Sequence, residues 1–388
     1  TTGATAGTAA LRPPPVRVLT DTDPASDGGA NGGDIFISPY GDSSKYANGA
    51  EILSPDARKV LWFHRAPAGD EDADFRTQTY DGKPVLTFWQ GTGLGGLSAG
   101  TDYIYNDRYQ KIAQVRAGNG YSADGHEFLI TPWNTALIIS YTTATANLTS
   151  IGGPDDQKVI DGIVQEVDIK TGKVLFQWNS ADHVPYSASE QPLPGSASTP
   201  WDWFHLNAVK LGTDGNLLID ARDTWATYDV SLRTGAIRWE LGGKDSSFRL
   251  TAAPGQSLDR AGKAFAWQHD AEAHGDGSYT LFDNECAGTG NTGTNAQSDY
   301  PYSRAITVRL DPAKHVATLV ASDDQPEARL ASSQGNAQLL PGGDTFTGWG
   351  ILPYFSEYGP SGSLVFNARF PKGVNTYRAY RLPWHPAS

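Results

Sequence analysis

Three histidines stand at the head of similar sequence segments, and they are the residues of this chain best suited to chemistry. His126, His205 and His269 are each followed by a strand-like stretch, a turn and a second strand-like stretch. An imidazole can act as a nucleophile, a general base or a metal ligand near neutral pH. If the segments are equivalent units of a repeat around one axis, the three imidazoles converge although they lie far apart in sequence.

Further polar residues occupy related positions in these segments. Asn207 lies two residues after His205, and side chains at positions n and n+2 share one face of a strand. Arg222 ends the strand predicted to fold back beside His205. A fourth copy of the segment begins at Gln334, and a weaker copy begins at Asp74. The repeat therefore predicts a polar ring made of His126, His205, Asn207, Arg222, His269, Asn284, Gln334 and Asn336.

Two kinds of chemistry suit such a ring. Three imidazoles could bind zinc or copper, but Arg222 would repel a cation, and the sequence has no HExxH motif or calcium-binding loop. Alternatively, Arg222 could bind the oxygens of a sulfate or phosphate group while a neutral imidazole acts as nucleophile. This second interpretation favours sulfuryl or phosphoryl transfer and predicts no metal. No Gly-rich nucleotide cradle precedes a helix pattern, so no cofactor is expected.

The elements that must position this ring are β-strands. Apolar residues recur mainly with a period of two, and a second hairpin unit follows each histidine segment, as in 165–178 and 227–239. Two hairpins per repeat make a four-stranded blade, and repeat starts near 74, 126, 205, 269 and 334 give five blades. Residues 33–65 supply the sixth. The prediction is an all-β, six-bladed β-propeller of four-stranded antiparallel blades; a pair of β-sandwiches is the alternative.

The last blade is predicted to close by combining strands from both ends of the chain. A strand from Tyr377 onward would return to pair with the strands of 33–65, which removes unpaired edges. We therefore expect an N-terminal extension over 1–32 and a single propeller domain over 33–388. Three Gly- and Ser-rich stretches, 142–162, 180–202 and 285–302, are predicted to be loops that cover one face.

Composition limits the partners and the compartment. The net charge of −13 and the pI near 5.0 argue against nucleic acid or an anionic membrane as partner. No run of 18 apolar residues predicts a membrane span, and Cys286 is the only cysteine, so no intrachain disulfide can form. The low-complexity start over 1–15 and the lack of Met favour an exported protein, secreted or in the cell envelope, whose signal has been removed; a cytoplasmic location is the alternative.

Beyond these patterns, the chain resembles a known family. Motifs spread over almost the whole sequence are similar to those of the PAPS-independent arylsulfotransferases, in the branch common in actinobacteria and fungi. The motifs lie at 75–91, 125–128, 203–209, 267–271, 281–284, 333–338, 348–350 and 354–357. The resemblance implies a propeller enzyme that moves a sulfuryl group from an aryl sulfate to a phenol by a ping-pong mechanism.

The resemblance also implies roles for individual residues. The transient sulfohistidine of the family falls on His269, its sulfuryl-binding residues fall on His205, Asn207 and Arg222, and its remaining active-site histidine falls on His126. An N-terminal β-sandwich that supports dimerisation in the wider family is not evident before residue 33, so we expect a monomer. The substrate-binding residues predicted beside these are Asn284, Gln334, Asn336, Trp203, Trp267, Trp349, Tyr354 and Phe355, of which the aromatic ones would stack on a phenolic ring.

Other functions remain open for the same ring. It could serve a different reaction on an aromatic natural product, as in a hydrolase or a tailoring enzyme. It could also belong to a propeller that binds a ligand without chemistry, in which case the long loops would carry the affinity.

Overall fold

The computed structural model describes residues 10–22, 32–259, 261–288 and 302–388, and its regular structure is almost entirely β-strand. Alternating apolar and polar residues form these strands, and Gly- and Asp-containing turns end them. The strands are β1 (Arg17–Asp21), β2 (Asp34–Tyr40), β3 (Gly49–Leu53), β4 (Val60–Arg65), β5 (Glu71–Tyr80), β6 (Lys83–Thr92), β7 (Ala99–Tyr105), β8 (Lys111–Val115), β9 (Phe128–Ile130), β10 (Thr135–Ala146), β11 (Gln157–Asp168), β12 (Val174–Asn179), β13 (Leu206–Leu211), β14 (Leu217–Ala221), β15 (Ala226–Val230), β16 (Ile237–Gly242), β17 (Arg249–Ala252), β18 (His269–Ala273), β19 (Ser278–Asp283), β20 (Arg304–Asp311), β21 (Val316–Asp323), β22 (Asn336–Leu339), β23 (Thr345–Gly348), β24 (Tyr354–Tyr358), β25 (Leu364–Arg369) and β26 (Asn375–Leu382).

The strands form six sheets that are the blades of a β-propeller, as the repeat predicts. From the axis outward, blade 1 is β26-β2-β3-β4, blade 2 is β5 to β8, blade 3 is β9 to β12 and blade 4 is β13 to β16. Blade 5 contains β18 to β21, and blade 6 contains β22 to β25. The predicted closure is also confirmed, because β26 pairs antiparallel with β2 from Asp34↔Leu382 to Tyr40↔Asn375. Strands from the two ends of the chain thus hold the ring of blades together.

Two blades carry a fifth strand that the sequence did not predict. β1 pairs antiparallel with β25 at the edge of blade 6, so Arg17–Asp21, within the predicted extension, adds to the propeller. β17 pairs parallel with β21 at the edge of blade 5. Both strands are short and lie half exposed, so neither has the buried alternation that identifies a strand in sequence.

The predicted loop over 142–162 is wrong. β10 and β11 are 12 residues long and stay in register from Thr135↔Asp168 to Ala146↔Gln157, so most of this stretch is a hairpin. Its Thr- and Ala-rich composition still allows strand pairing beyond the body of the sheet. Residues 180–202 are a connection with two short 3₁₀ helices, Ser180–Asp182 and Tyr186–Ala188. Of the third predicted loop, residues 289–301 lie outside the described residues.

Apolar side chains fill the spaces between blades, whereas polar and charged side chains line the axis. Trp178, Phe204 and Tyr228 pack between blades 3 and 4, and Phe346 and Phe355 pack between blades 6 and 1. Interdigitated cores of this kind have low compressibility and fix the inner strands in place. Within the described residues, no helix is both long and apolar enough to span a membrane.

Candidate active site

A small cavity of about 90 Å³ at the axis contains five of the residues predicted from the repeat. They are His126, His205, Arg222, His269 and Gln334, which come from blades 3, 4, 5 and 6. The full lining is Gly95, Gly96, His126, Asp202, His205, Arg222, His269, Ser333 and Gln334. The repeat therefore brings three imidazoles and one guanidinium together, as the sequence predicts.

Each cavity histidine lies where an inner strand begins. His126 precedes β9, His205 precedes β13, and His269 is the first residue of β18. The backbone is left-handed where three of the inner strands begin, with φ of 52° at His205 before β13, 59° at Asp270 in β18 and 66° at Gln334 before β22. Residues other than glycine adopt such angles at a cost, and they recur both in tight turns and at functional sites.

His269 has a fixed tautomer. Its Nδ1 lies 2.8 Å from Oδ1 of Asn284, and the Asn284 amide nitrogen donates to the carbonyl oxygens of Ala331 (2.9 Å) and Gln334 (3.0 Å). Because those carbonyls require the NH₂ group, the amide oxygen faces the imidazole, and Nδ1 carries the proton. Nε2 is then the unprotonated nitrogen, and it accepts a hydrogen bond from the backbone N–H of Gln334 at 3.1 Å.

His269 is also kept neutral. Burial, together with the positive charge of Arg222, lowers the pKa of His269 well below its ordinary value of 6.5. A neutral imidazole with an unprotonated Nε2 at the cavity is the nucleophilic form of this side chain.

The other two imidazoles are held by carboxylates instead of an amide. Nδ1 of His126 lies 2.5 Å from Oδ2 of Asp124, and Nδ1 of His205 lies 2.5 Å from Oδ2 of Asp202. The two rings are 5.2 Å apart and perpendicular. Burial lowers the pKa of His205, but the Asp202 and Asp223 carboxylates together raise it by more, so the net shift is upward. The carboxylate at Nδ1 of His205 therefore favours a positive charge on that ring, in contrast to His269.

Arg222 presents a buried cation to the cavity. Its Nη1 donates to Asp223 at 2.7 Å, and its Nη2 donates to the carbonyl oxygens of Ala287 (3.0 Å) and Ser332 (3.1 Å). The guanidinium lies over the ring of Trp267, 5.2 Å from its centre. Nε is buried without a hydrogen-bond partner among the described residues. An unpaired donor on a fixed cation suits an anionic oxygen.

Asn207 and Asn336 do not line the cavity. The Asn207 side chain donates to the carbonyl of Gln268 at 2.9 Å and accepts from the N–H of Asp270 at 3.1 Å, which joins blades 4 and 5. Asn336 makes the equivalent link to both backbone groups of Ala379 in blade 1. The pairing register shifts between Leu206 and Ala208, so the alternation that would place Asn207 on the His205 face is interrupted.

The predicted aromatic residues lie mostly in the packing between strands. Trp267 supports Arg222, whereas Trp203 donates its indole N–H to Asp161 at 3.0 Å and Trp349 donates to Ser356 at 3.0 Å. Tyr354 lies under Arg329, and Phe355 belongs to the apolar core. None of the five lines the cavity. Their contact with a phenolic ring stays a prediction.

Four residues of the site were not identified from the sequence. Asp124 and Asp202 precede their histidines by two and three residues, and that proximity was an available signal. Tyr141 stacks on His205 at 5.7 Å and donates its hydroxyl hydrogen to the carbonyl of Leu206. Tyr377 donates to the carbonyl of His126 at 2.8 Å. The two tyrosines carry no sequence signal, because the fold alone brings them to the histidines.

Among the residues that the structure describes, one group of possible metal ligands adjoins the cavity. Ligand atoms of Asp202, His205 and Asp223 lie within 4.8 Å of one another. However, Asp202 already binds His205, and Asp223 binds the guanidinium of Arg222, whose charge opposes a cation there. The ligand atoms of this group are therefore already engaged within the protein.

One protein family matches most of this sequence. The sequence profile of the arylsulfotransferase (ASST) family matches residues 76–371, which include all three histidines and Arg222. The chain belongs to the arylsulfotransferase family. Among curated protein sequences, none matches the chain significantly.

One solved structure supports the fold of this arylsulfotransferase-family chain. A protein of unknown function from Bacteroides caccae superposes with a TM-score of 0.50 at 10% identity, covering 90% of this chain and 100% of that one. A hydrazine synthase from Kuenenia stuttgartiensis gives a TM-score of 0.43 at 12% identity, covering 92% and 81%. At such identities the likeness concerns the propeller alone.

Proposed function

We propose that this protein transfers a sulfuryl group from an aryl sulfate to a phenol, with His269 as the covalent carrier. The observation that carries the proposal is the pairing of the three histidines: His269 faces the amide of Asn284, while His126 and His205 face carboxylates. One imidazole is therefore prepared as a neutral nucleophile, and its two neighbours are prepared to hold or accept a proton. Membership of the arylsulfotransferase family supports this reaction class.

In the first half-reaction, the Nε2 lone pair of His269 attacks the sulfur of the aryl sulfate. The N–S bond forms, the S–O bond to the aryl group breaks, and the electron pair leaves with the phenolic oxygen. The Nε2 atom exchanges its hydrogen bond with the Gln334 N–H for the new bond, and that N–H then donates to a sulfuryl oxygen. His126, supported by Asp124, protonates the departing phenolate.

In the second half-reaction, a phenol replaces the first product. Its oxygen attacks the sulfur, the N–S bond breaks, and the phenolic proton passes to His126. His269 returns to the neutral form, with its Nδ1 proton still bound by Asn284. Because both half-reactions use the same sulfur position, one set of donors stabilises both transition states.

The sulfuryl oxygens need donors that are fixed before the reaction. Arg222 and His205 both line the cavity with His269, and the Arg222 Nε–H is buried with no partner among the described residues. Donors aimed at developing negative charge in a dry site supply a large share of catalysis. We assign Asn207, also expected to bind the sulfuryl group, to the support of the Asp270 backbone next to His269.

An assay with two phenols tests the proposal. The protein is incubated with 4-nitrophenyl sulfate and a second phenol, and release of 4-nitrophenol is measured together with sulfation of the acceptor. We expect both products from the wild type and from His274→Ala, and neither from His269→Ala. His274 is a suitable control because it lies in the same blade outside the cavity, with its ring hydrogen-bonded to Thr280 at 2.8 Å. Transfer by His269→Ala at the control rate would exclude His269 as the carrier.

A further inference from the structure

A set of buried charges lies at the axis beside the histidines, and we call it the charge network. It consists of three carboxylates and three cations, all nearly inaccessible to solvent. The members are Asp74, Arg76, Glu127, Lys210, Asp270 and Arg378.

Two carboxylates of the network directly follow cavity histidines in the sequence. Glu127 follows His126, and Asp270 follows His269. The imidazoles line the cavity, whereas the carboxylates bind the cations of the network. A displacement of either carboxylate would therefore move the adjoining imidazole through one peptide unit.

Two cations connect these carboxylates to each other. Nζ of Lys210 lies 2.8 Å from Glu127 and 2.7 Å from Asp270. Arg378 lies 2.7 Å from Glu127 and 3.2 Å from Asp270. The link between the starts of blades 3 and 5 thus passes through side chains of blades 4 and 1.

The backbone beside the same histidines is held as well. Tyr377, next to Arg378, donates to the carbonyl of His126 at 2.8 Å. Arg378 also donates at 3.2 Å to the carbonyl of Asn207, whose side chain accepts from the N–H of Asp270. Ion pairs between side chains and hydrogen bonds to the backbone therefore both constrain the positions of His126 and His269.

We propose that Lys210 and Arg378 are positioning residues that set the separation and orientation of His126 and His269. This inference rests on the function proposed above, because only a transfer between these imidazoles and a substrate makes their separation matter. Burying six charges is costly, and apolar residues of the same volume would often give equal or greater stability. Their presence at the axis fits a role in fixing geometry, where an error of about 1 Å can cost about 100-fold in rate.

The network acts through geometry, since its formal charges balance. The influences that lower the pKa of His269 are burial and the charge of Arg222, with smaller effects from the other two histidines, while the hydrogen bond to Asn284 opposes them. Removing Lys210 should therefore misplace the imidazoles without moving the pH at which His269 loses its proton.

The test compares Lys210→Met with a matched control, Arg381→Met. Arg381 is equally buried and binds Glu357 at 2.8 Å, but neither residue adjoins a cavity histidine. We expect Lys210→Met to lower the rate of sulfuryl transfer by about 10- to 100-fold with the acidic limb of the pH profile unchanged. Lys210→Arg should recover most of the loss, and Arg381→Met should stay within about twofold of the wild type.

Separate outcomes distinguish the two proposals. An inactive wild type contradicts the proposed function. An active wild type with equal losses in Lys210→Met and Arg381→Met contradicts the positioning role. If Lys210→Met does not fold, the charge-balanced double variant Lys210→Met/Glu127→Gln replaces it, and a rate equal to that of the wild type overturns the inference.

Discussion

The histidine cluster, made of His126, His205 and His269, and the charge network beside it bury polar groups in opposite ways. In the network, Glu127 meets three cations, and Asp74 and Asp270 each meet two, so each charge is balanced inside the protein. In the cluster, one side chain binds each imidazole at Nδ1, and all three rings line the cavity, where Nε2 of His269 accepts only a backbone N–H. The comparison separates a region organised for rigidity from one organised for reaction.

Breaking the network should have the largest effect on stability. Glu127→Gln leaves three buried cations with one carboxylate fewer, so we expect the free energy of unfolding to fall by about 3–5 kcal/mol in denaturant titrations. The control is Glu357→Gln, because Glu357 pairs with one guanidinium and burial raises its pKa to about 7. The free energy of unfolding should fall by clearly less in Glu357→Gln. Equal decreases in the two variants would mean that the charge network contributes no more to stability than an isolated buried ion pair.

The same variant has a defined pH dependence. Burial raises the pKa of Glu127, but Arg378 and the two other cations lower it by more, and the net shift is downward from 4.5. The stabilisation by Glu127 is therefore present above pH 4.5 and is lost as the pH falls through the lowered value. The difference between wild type and Glu127→Gln should shrink in acid, and a difference that grew would contradict this sign.

Within the cluster, Arg222 should be the most sensitive of the sulfuryl-binding residues. Arg222→Lys keeps the charge but loses the fork of donors and the stacking on Trp267. We expect kcat to fall by about 100-fold while the thermal unfolding midpoint changes little. A variant with normal kcat and a raised KM would assign Arg222 to ground-state binding only.

Exchanging the amide beside His269 for a carboxylate tests the contrast between the histidines. Asn284→Asp should raise the pKa of His269, so less of the neutral nucleophile is present near pH 6 and the rate there falls by about 10-fold. The acidic limb of the profile should move to higher pH. Asp202→Asn is the matched control: it acts on His205 and should leave that limb in place. If the acidic limb does not move in Asn284→Asp, the limb reports the titration of a group other than His269.

The wild-type pH profile should show a plateau on both sides of 6.5. His269 has a lowered pKa, so the nucleophile is lost only as the pH falls well below 6.5. His205 has a raised pKa, so its positive charge is lost only as the pH rises above 6.5. If charged His205 binds the sulfuryl oxygens, kcat decreases as the pH rises above 6.5 and this charge is lost. A rate that rose steadily through pH 6.5 would contradict this assignment.

Much of the fold could be predicted because the repeat can be recognised directly in the amino-acid sequence. Each copy carries its own turn and strand alternation, and the return of β26 follows from the need to pair an inner edge. The added strands β1 and β17 could not be predicted, since their pairing depends on neighbours that sequence does not reveal.

Prediction of the site was limited in the same way, because side-chain positions depend on neighbours that are distant in sequence. Equivalence of repeats predicted that His126, His205 and His269 converge. It failed for Asn207, because a register shift after Leu206 breaks the alternation on which that placement depended. The roles of Asn284 and Lys210 depend on partners 15 and 83 residues away, so no local pattern could have assigned them.

The covalent carrier can be observed directly. The protein is incubated with 4-nitrophenyl sulfate and no acceptor, and its mass is measured before and after peptide mapping. The account predicts a mass increase of one sulfuryl group on the peptide that contains His269, removed by adding a phenol and missing in His269→Ala. Release of 4-nitrophenol without an adduct, or an adduct on another residue, would contradict it.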